Sequence, residues 1–528
     1  MSLPPTRAIS AASAARAGSH ALAAALVPAV LALLLTALPA GAAVRLPAIL
    51  SDHMVLQRSA TTPVWGWADA GETVTVRFGA AVAATRAGAD GRWRVDLDVA
   101  GAGAGAAGGN ELVVRGAAGE VVVRDVLVGD VWLASGQSNM QKPLGERKGE
   151  RPTFNHRDEI AAAEAPGVRL FKVARGRAQR PADDVAGEWV RCSPESVKRT
   201  AFSAAAYFFG RRLHRELGVP VGLIDASVGG TRIELWTPSA ALAASPGRAP
   251  AADDAVLYNA MVAGLAPFGL KGMLWYQGES NLIDDGDGAA YTAKMAALVG
   301  SWRGAFGNDL PFYYVQIAPH LYHVVRSAKV ADAEAAARLR AAQAAALAIP
   351  GTGMVVTTDL ADDLADIHPR DKRQVGLRLA NLALAGTYGR KDIEAWGPRL
   401  RAMQVDGGRA LLLFDHADGL FASDRKPLSW FQVAGADGRW HPARAEIERG
   451  RVAVHSDRVP QPAAVRFAWD EAAQPNLVNG AGLPAMPFST AEPGTVLSDT
   501  SVAVPAHMPP AAPAAGTQAA RFSEPAHH

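Results

Sequence analysis

Three short stretches of this chain carry side chains that together suit acyl-transfer chemistry. The first is Ser135-Gly-Gln-Ser-Asn-Met140, which follows the apolar runs 126–128 and 131–134. An apolar run that ends in glycine and small polar residues reads as a buried strand entering a sharp turn. In α/β sheets, ligands bind just beyond the carboxyl ends of such strands. Ser138 is therefore placed to act as a nucleophile. Met140 stands where a Gly-x-Ser-x-Gly elbow needs its second glycine, so this stretch alone favours an ordinary turn residue. The second stretch, Gly272-Met-Leu-Trp-Tyr-Gln-Gly-Glu-Ser-Asn281, and the third, Asp366-Ile-His-Pro369, change that balance. Ester hydrolysis needs a nucleophile, a base to take its proton, a group to orient the base and donors for the oxyanion. Ser138 is the expected nucleophile and His368 the expected base, with carboxylates and an amide close to them in sequence.

These stretches occur in order with Ser51-Asp-His-Met-Val-Leu-Gln57 and Ser227-Val-Gly-Gly-Thr231. Together they resemble the sialate O-acetylesterase family of SGNH-type carbohydrate esterases, from about residue 44 to about residue 490. The resemblance implies that Asp366 orients His368 and that Gln277 is a side-chain donor to the oxyanion. Many SGNH enzymes place the acid three residues before the histidine, where this chain has Ala365. Glu279 is therefore the runner-up orienting acid and Asp363 the third. The remaining oxyanion candidates are the backbone N–H of Ser138 and the backbone at Gly229 or Gly230, where missing side chains allow close approach. Gly-Gly also marks ordinary turns. Trp236, Trp275 and Tyr276 suit a stacked sugar or plain packing, and Trp275 sits in an apolar run that favours packing. Arg232 suits a substrate carboxylate, though a surface ion pair is the commoner role for such a residue. His53 matches a structural motif of the family and is given no catalytic role.

The elements that must hold these residues follow from periodicity. Residues 126–390 alternate strand candidates (126–134, 168–173, 221–226, 270–276, 311–317, 353–357) with helix candidates (201–217, 289–306, 331–348, 372–387). That alternation predicts an α/β domain with a mostly parallel sheet and helices on both faces, and the resemblance implies the three-layer SGNH-hydrolase form. Residues 44–125 read as short strands at the spacing of a sandwich or jelly roll, and 391–490 return to an all-β pattern. The family implies that these two β regions lie near each other. The Ala/Pro/Ser-rich 491–528 has too few large apolar residues to offset chain entropy and is expected to be disordered.

Composition narrows the function. The 528 residues are 49% hydrophobic and 20% charged, enough for several sizeable cores. The net charge of +2 comes from Arg7 and Arg16, and from Val44 onward the chain is formally neutral. No nucleic-acid footprint is expected on that balance. Residues 1–43 read as a signal peptide: Arg7 and Arg16, then the apolar run 21–38, then small residues. Pro28 inside the run favours cleavage over a retained membrane anchor. A secreted or periplasmic protein is expected, with no membrane contact after cleavage. The single cysteine, Cys192, excludes an intrachain disulfide and reads as structural. His320 and His323 lack the carboxylate that a metal motif would add, so neither metal nor cofactor is expected. The expected partner is an O-acetylated carbohydrate, with sialic acid implied by the resemblance and acetylated plant polysaccharide equally compatible. Two other readings compete: a carbohydrate-binding protein on an inert hydrolase fold, and a lipid or thioester hydrolase.

Overall fold

The computed structural model describes residues 44–101, 110–244, 251–286, 288–307, 309–325 and 328–491. The expected signal peptide and all but the first residue of the expected tail lie outside these residues. The molecule is built around the strand Gly119–Gly136. Its apolar half sits at the centre of a sheet whose strands run, in space, Thr352–Val355, Phe312–Val315, Gly272–Tyr276, Gly119–Gly136, Val221–Ser227, Ala165–Lys172, Trp189–Cys192. All neighbours are parallel except the last pair.

Side chains alternate across this sheet. Trp132, Ala134, Leu223, Leu274 and Tyr276 face one core, shared with the helices Ala204–Leu217 and Lys372–Gly386. Leu133, Ile224, Met273 and Trp275 face the other, shared with Tyr291–Phe306 and Ala335–Ala345. Period-two alternation of large apolar residues is what a sheet covered on both faces requires. The helix Ala204–Leu217, expected over 201–217, stops at Gly218, which adopts φ +66° and donates its N–H to the carbonyl of His214.

The strand Gly119–Gly136 spans the expected boundary at 125/126. It pairs first with Asn110–Gly116 and then with Val221–Ser227 and Gly272–Tyr276. Asp125 takes a left-handed φ of +56°, and a register shift sits nearby opposite Asn110 and Leu112, but pairing resumes beyond it. The strands Thr73–Phe78, Ala81–Arg86 and Asn110–Gly116 thus belong to the same eleven-stranded sheet, and only Thr62–Trp67 and Arg92–Leu97 pair apart. Val64, Trp65, Trp93 and Val95 share a core with the sheet. The N-terminal β region is an extension of the α/β unit, not a separate sandwich.

The C-terminal segment does form its own β unit. Two four-stranded antiparallel sheets close on Leu412, Phe431, Val433, Val454, Val465 and Phe467, a cluster distinct from the other two. Among the described residues, no strand of the N-terminal region pairs with it. It docks instead on the α/β unit: buried Arg340 donates to the carbonyls of Asp470 (2.8 Å) and Glu471 (3.1 Å), and Gln474 Nε2 donates to Ala361 O (2.5 Å).

Candidate active site

Register fixes where the site forms. Ser227, Gly136 and Tyr276 lie side by side across three neighbouring strands, so the turns that follow each emerge at one edge of the sheet. Gly136, at φ +133°, must be glycine, because a Cβ there would lie 2.2 Å from Tyr276 O. Ser138 opens the one-turn helix Ser138–Gln141 and is 9% exposed. The N–H groups of Met140 and Gln141 both go to Gln137 O. Those of Ser138 and Asn139 have no acceptor among the described residues, as expected for the first N–H groups of a helix.

The structure separates the two glycines. Gly229 presses on Ser138, since a Cβ there would lie 3.2 Å from Ser138 Cβ, and its N–H donates to Gln141 Oε1 (3.0 Å). Gly230, at φ +70° in open space, has an N–H without an acceptor among the described residues. The Gln277 amide is buried and faces Gln137 Oε1 (3.1 Å), Thr231 O (3.1 Å) and Asn281 Oδ1 (2.8 Å), and its oxygen accepts from Tyr291 Oη (2.6 Å), so its two N–H groups are engaged within the turns of this structure.

His368 lies in the loop between Thr352–Val355 and the helix Lys372–Gly386. Asp366 Oδ1 accepts the His368 backbone N–H at 2.9 Å and stands 3.6 Å from the imidazole Nδ1. That is adjacent but longer than a hydrogen bond, so the carboxylate shapes the loop first. Burial, then the cations of Lys372 and Lys142, push the imidazole down to about 4, against the partial opposition of Asp366. Glu279, the runner-up, is fully buried. Its Oε1 accepts from Asn139 Nδ2 (2.6 Å), its Oε2 has no partner, and burial raises its pKa. Asp363 is engaged with Arg151 (3.1 Å) and the Ala365 N–H (2.9 Å).

Sequence reasoning missed Asn139 and Lys372. Asn139 Nδ2 also donates to Ile367 O (3.0 Å), and its Oδ1 accepts from Lys372 Nζ (2.6 Å). The residue after the nucleophile thereby holds the residue before the histidine. The available signal was a lysine at the first position of a helix, where anions are favoured.

The expected substrate contacts divide. Arg232 lies 3.5 Å from Asp253 and 3.6 Å from Asp284, so the ion-pair role holds. Trp236 is fully buried, edge-on to Trp275 at 6.3 Å, with its indole N–H on Thr231 Oγ1 (3.0 Å). Trp275 and Tyr276 are buried as well, so all three aromatics are core residues and none presents a face to a sugar. His323 pairs with Glu471, while His320 packs edge-on against Tyr322 at 4.9 Å. His53 bonds Asp125 Oδ2 at 2.6 Å, far along the strand from Ser138. Burial pushes the Cys192 thiol up to about 12, which leaves it inert.

A family model described as carbohydrate esterase, sialic acid-specific acetylesterase matches residues 128–385. The sialate O-acetylesterase of Pongo abelii is 30% identical over 81% of this chain and 88% of its own length. That of Homo sapiens is 32% identical over 71% and 76%. A crystal structure described as a novel carbohydrate acetylesterase from Xanthomonas citri is 38% identical, with a TM-score of 0.75 over 85% of this chain and 99% of that one.

Proposed function

The chain belongs to the sialate O-acetylesterase family of carbohydrate esterases and is a carboxylic ester hydrolase, and from that premise we propose that it removes O-acetyl groups from sugars through an acetyl-serine intermediate. Ser138 Oγ attacks the acetyl carbonyl while His368 takes its proton. The N–H groups of Ser138 and Gly230 receive the oxyanion, each contributing on the order of 3 kcal/mol to the transition state. The tetrahedral intermediate collapses, and the imidazolium gives its proton to the departing sugar oxygen. Water, deprotonated by His368, then attacks the acetyl-serine carbonyl and releases acetate and free Ser138.

The observation that carries this reading is the Asn139–Ile367 bond, which ties the nucleophile turn to the histidine loop at the carboxyl edge of the sheet. The substrate is an acetylated sugar, either sialic acid or a plant polysaccharide, met outside the cytoplasm after export directed by residues 1–43. The layered sheet suits the SGNH form of such enzymes. The test is acetate release from O-acetylated sialic acid and from acetylated xylan, with Ser138→Ala as control. Release that depends on Ser138 is expected from one of them. Full turnover by Ser138→Ala would overturn the mechanism, and glycan binding without turnover by the unaltered chain would favour an inert binding protein.

A further inference from the structure

The acyl-transfer steps leave Lys372 without a task, although it sits among the reacting groups. It is completely buried, and it opens the helix Lys372–Gly386 just after the capping residue Asp371. A buried ammonium is costly, and one in the first helical turn faces the positive end of the dipole. Burial and then Lys142 push Lys372 down to about 7, so its ammonium is present across the acid range, and groups perturbed in this way concentrate at functional sites. The Nζ donates to Asn139 Oδ1 at 2.6 Å and lies 5.0 Å over the Tyr276 ring.

That one hydrogen bond decides how the Asn139 amide faces. With Oδ1 against the ammonium, Nδ2 points at Ile367 O (3.0 Å) and Glu279 Oε1 (2.6 Å). The flipped amide would set NH2 against an ammonium and its oxygen against a carbonyl and a carboxyl oxygen, losing all three bonds. We propose that Lys372 is a positioning residue for catalysis: its ammonium orients the Asn139 amide, which clamps the Ser138 turn to the backbone immediately before His368. The proposal rests on the serine-esterase reading above.

The surrounding charges give it a second signature. His368 faces Lys372 from the helix, Lys142 and Arg147 from the segment after the nucleophile, and Asp366 from its own loop. Lys372 in turn faces Lys142, Glu279 from the helix Glu279–Asp285, Asp366 and Asp371. Removing Lys372 removes one of the cations that disfavour imidazolium, so the proton affinity of His368 rises.

The experiment uses the full chain with Lys372→Met, which keeps length and apolar bulk. Turnover of 4-nitrophenyl acetate is followed against pH beside thermal unfolding. Expected are an intact fold, kcat lower by roughly 100-fold with KM little changed, and an acid limb of kcat/KM moved up by about one pH unit. The moved limb reports the lysine's charge beside His368, whereas a fall in kcat at little-changed KM in a folded protein reports the clamp, which a merely structural lysine would not produce. Wild-type kcat overturns the proposal whether or not the limb moves. If Lys372→Met does not fold, Asn139→Asp decides, because it keeps the acceptor for Lys372 and removes the donor to Ile367. A folded Asn139→Asp with unimpaired kcat also overturns the proposal. Ser138→Ala in parallel separates the two readings: activity surviving there defeats the serine mechanism itself, whereas an inactive Ser138→Ala beside an unaffected Lys372→Met defeats only the role of Lys372.

Discussion

The depressed imidazole of His368 makes the acid side of the pH profile the most discriminating measurement. The perturbation is a fall in assay pH. A general base works only when neutral, so kcat/KM falls as the free enzyme's histidine takes up a proton. Burial is the largest cause of the depression, Lys372 and Lys142 follow, and Asp366 opposes them, bringing the group from 6.5 down to about 4. At pH 5 the neutral fraction is then ~90%, against ~3% for an unperturbed histidine, a gap of about thirtyfold in rate. The same shift corresponds to about 3 kcal/mol of preference for the neutral ring.

The sign carries into stability. Because the folded pKa lies below the unfolded one, this group's contribution is complete above about pH 6.5 and is lost as pH falls toward 4. Acid unfolding and loss of base must therefore be separated. Acetate release is measured at constant ionic strength from pH 3.5 to 8, with near-ultraviolet circular dichroism recorded on the same samples. The expected profile holds its plateau to pH 5 and falls near pH 4 while the fold persists. An acid limb at pH 6 to 7 in a folded protein would refute the electrostatic reasoning, and with it the view that cations and burial dominate over Asp366.

Three further outcomes are expected. Asp366→Ala should lower kcat by roughly 100-fold and Glu279→Gln by less than about tenfold, because only Asp366 stands beside the imidazole, at 3.6 Å, and Glu279 is held by Asn139; steady-state kinetics giving the reverse order would make Glu279 the orienting acid. Gly229→Ala should cut kcat by roughly 10- to 100-fold with little change in Tm, since the new methyl meets Ser138 Cβ and Gln141 Oε1 at 3.2 Å and displaces the nucleophile. Trp236→Ala should cost about 3–5 kcal/mol in denaturant unfolding with KM unchanged, and a raised KM at full stability would restore a sugar-stacking role to that ring.

Much of the fold was legible because hydrophobic periodicity is a local signal. The run at 221–226 appears as Val221–Ser227, and the helix read at 372–387 as Lys372–Gly386. Partition was less legible. Asp125 looks like a break in a Val-rich run, yet the chain passes it as one strand, with Gly129 farther along admitting the carbonyl of Pro220 within 2.0 Å of where a Cβ would stand. The strand Ala81–Arg86 is hard to read from sequence because its alternation is carried by alanine and threonine, which give a weak contrast between faces.

The site divides along a different line. Ser138, Asp366 and His368 are legible because a turn serine and an Asp-x-His-Pro loop have characteristic neighbours in sequence. Asn139 and Lys372 are not, because each acquires its role only from partners far along the chain. Asn139 meets Glu279 across 140 residues, Ile367 across 228 and Lys372 across 233. Trp236 stays open in the sequence for the converse reason: an aromatic close to a reactive motif has the same local sequence whether its ring faces a sugar or a core. Only burial separates the two cases, and burial is set by the helix Tyr291–Phe306, whose Trp302 donates its indole N–H to Trp236 O at 2.9 Å. The candidate reacting groups at this sheet edge are thus announced by their own residue types, while the groups that hold them become visible only once the three strand ends are brought level. That is why the removal of Lys372, a residue with no local signature, is the sharper trial of how the site is built.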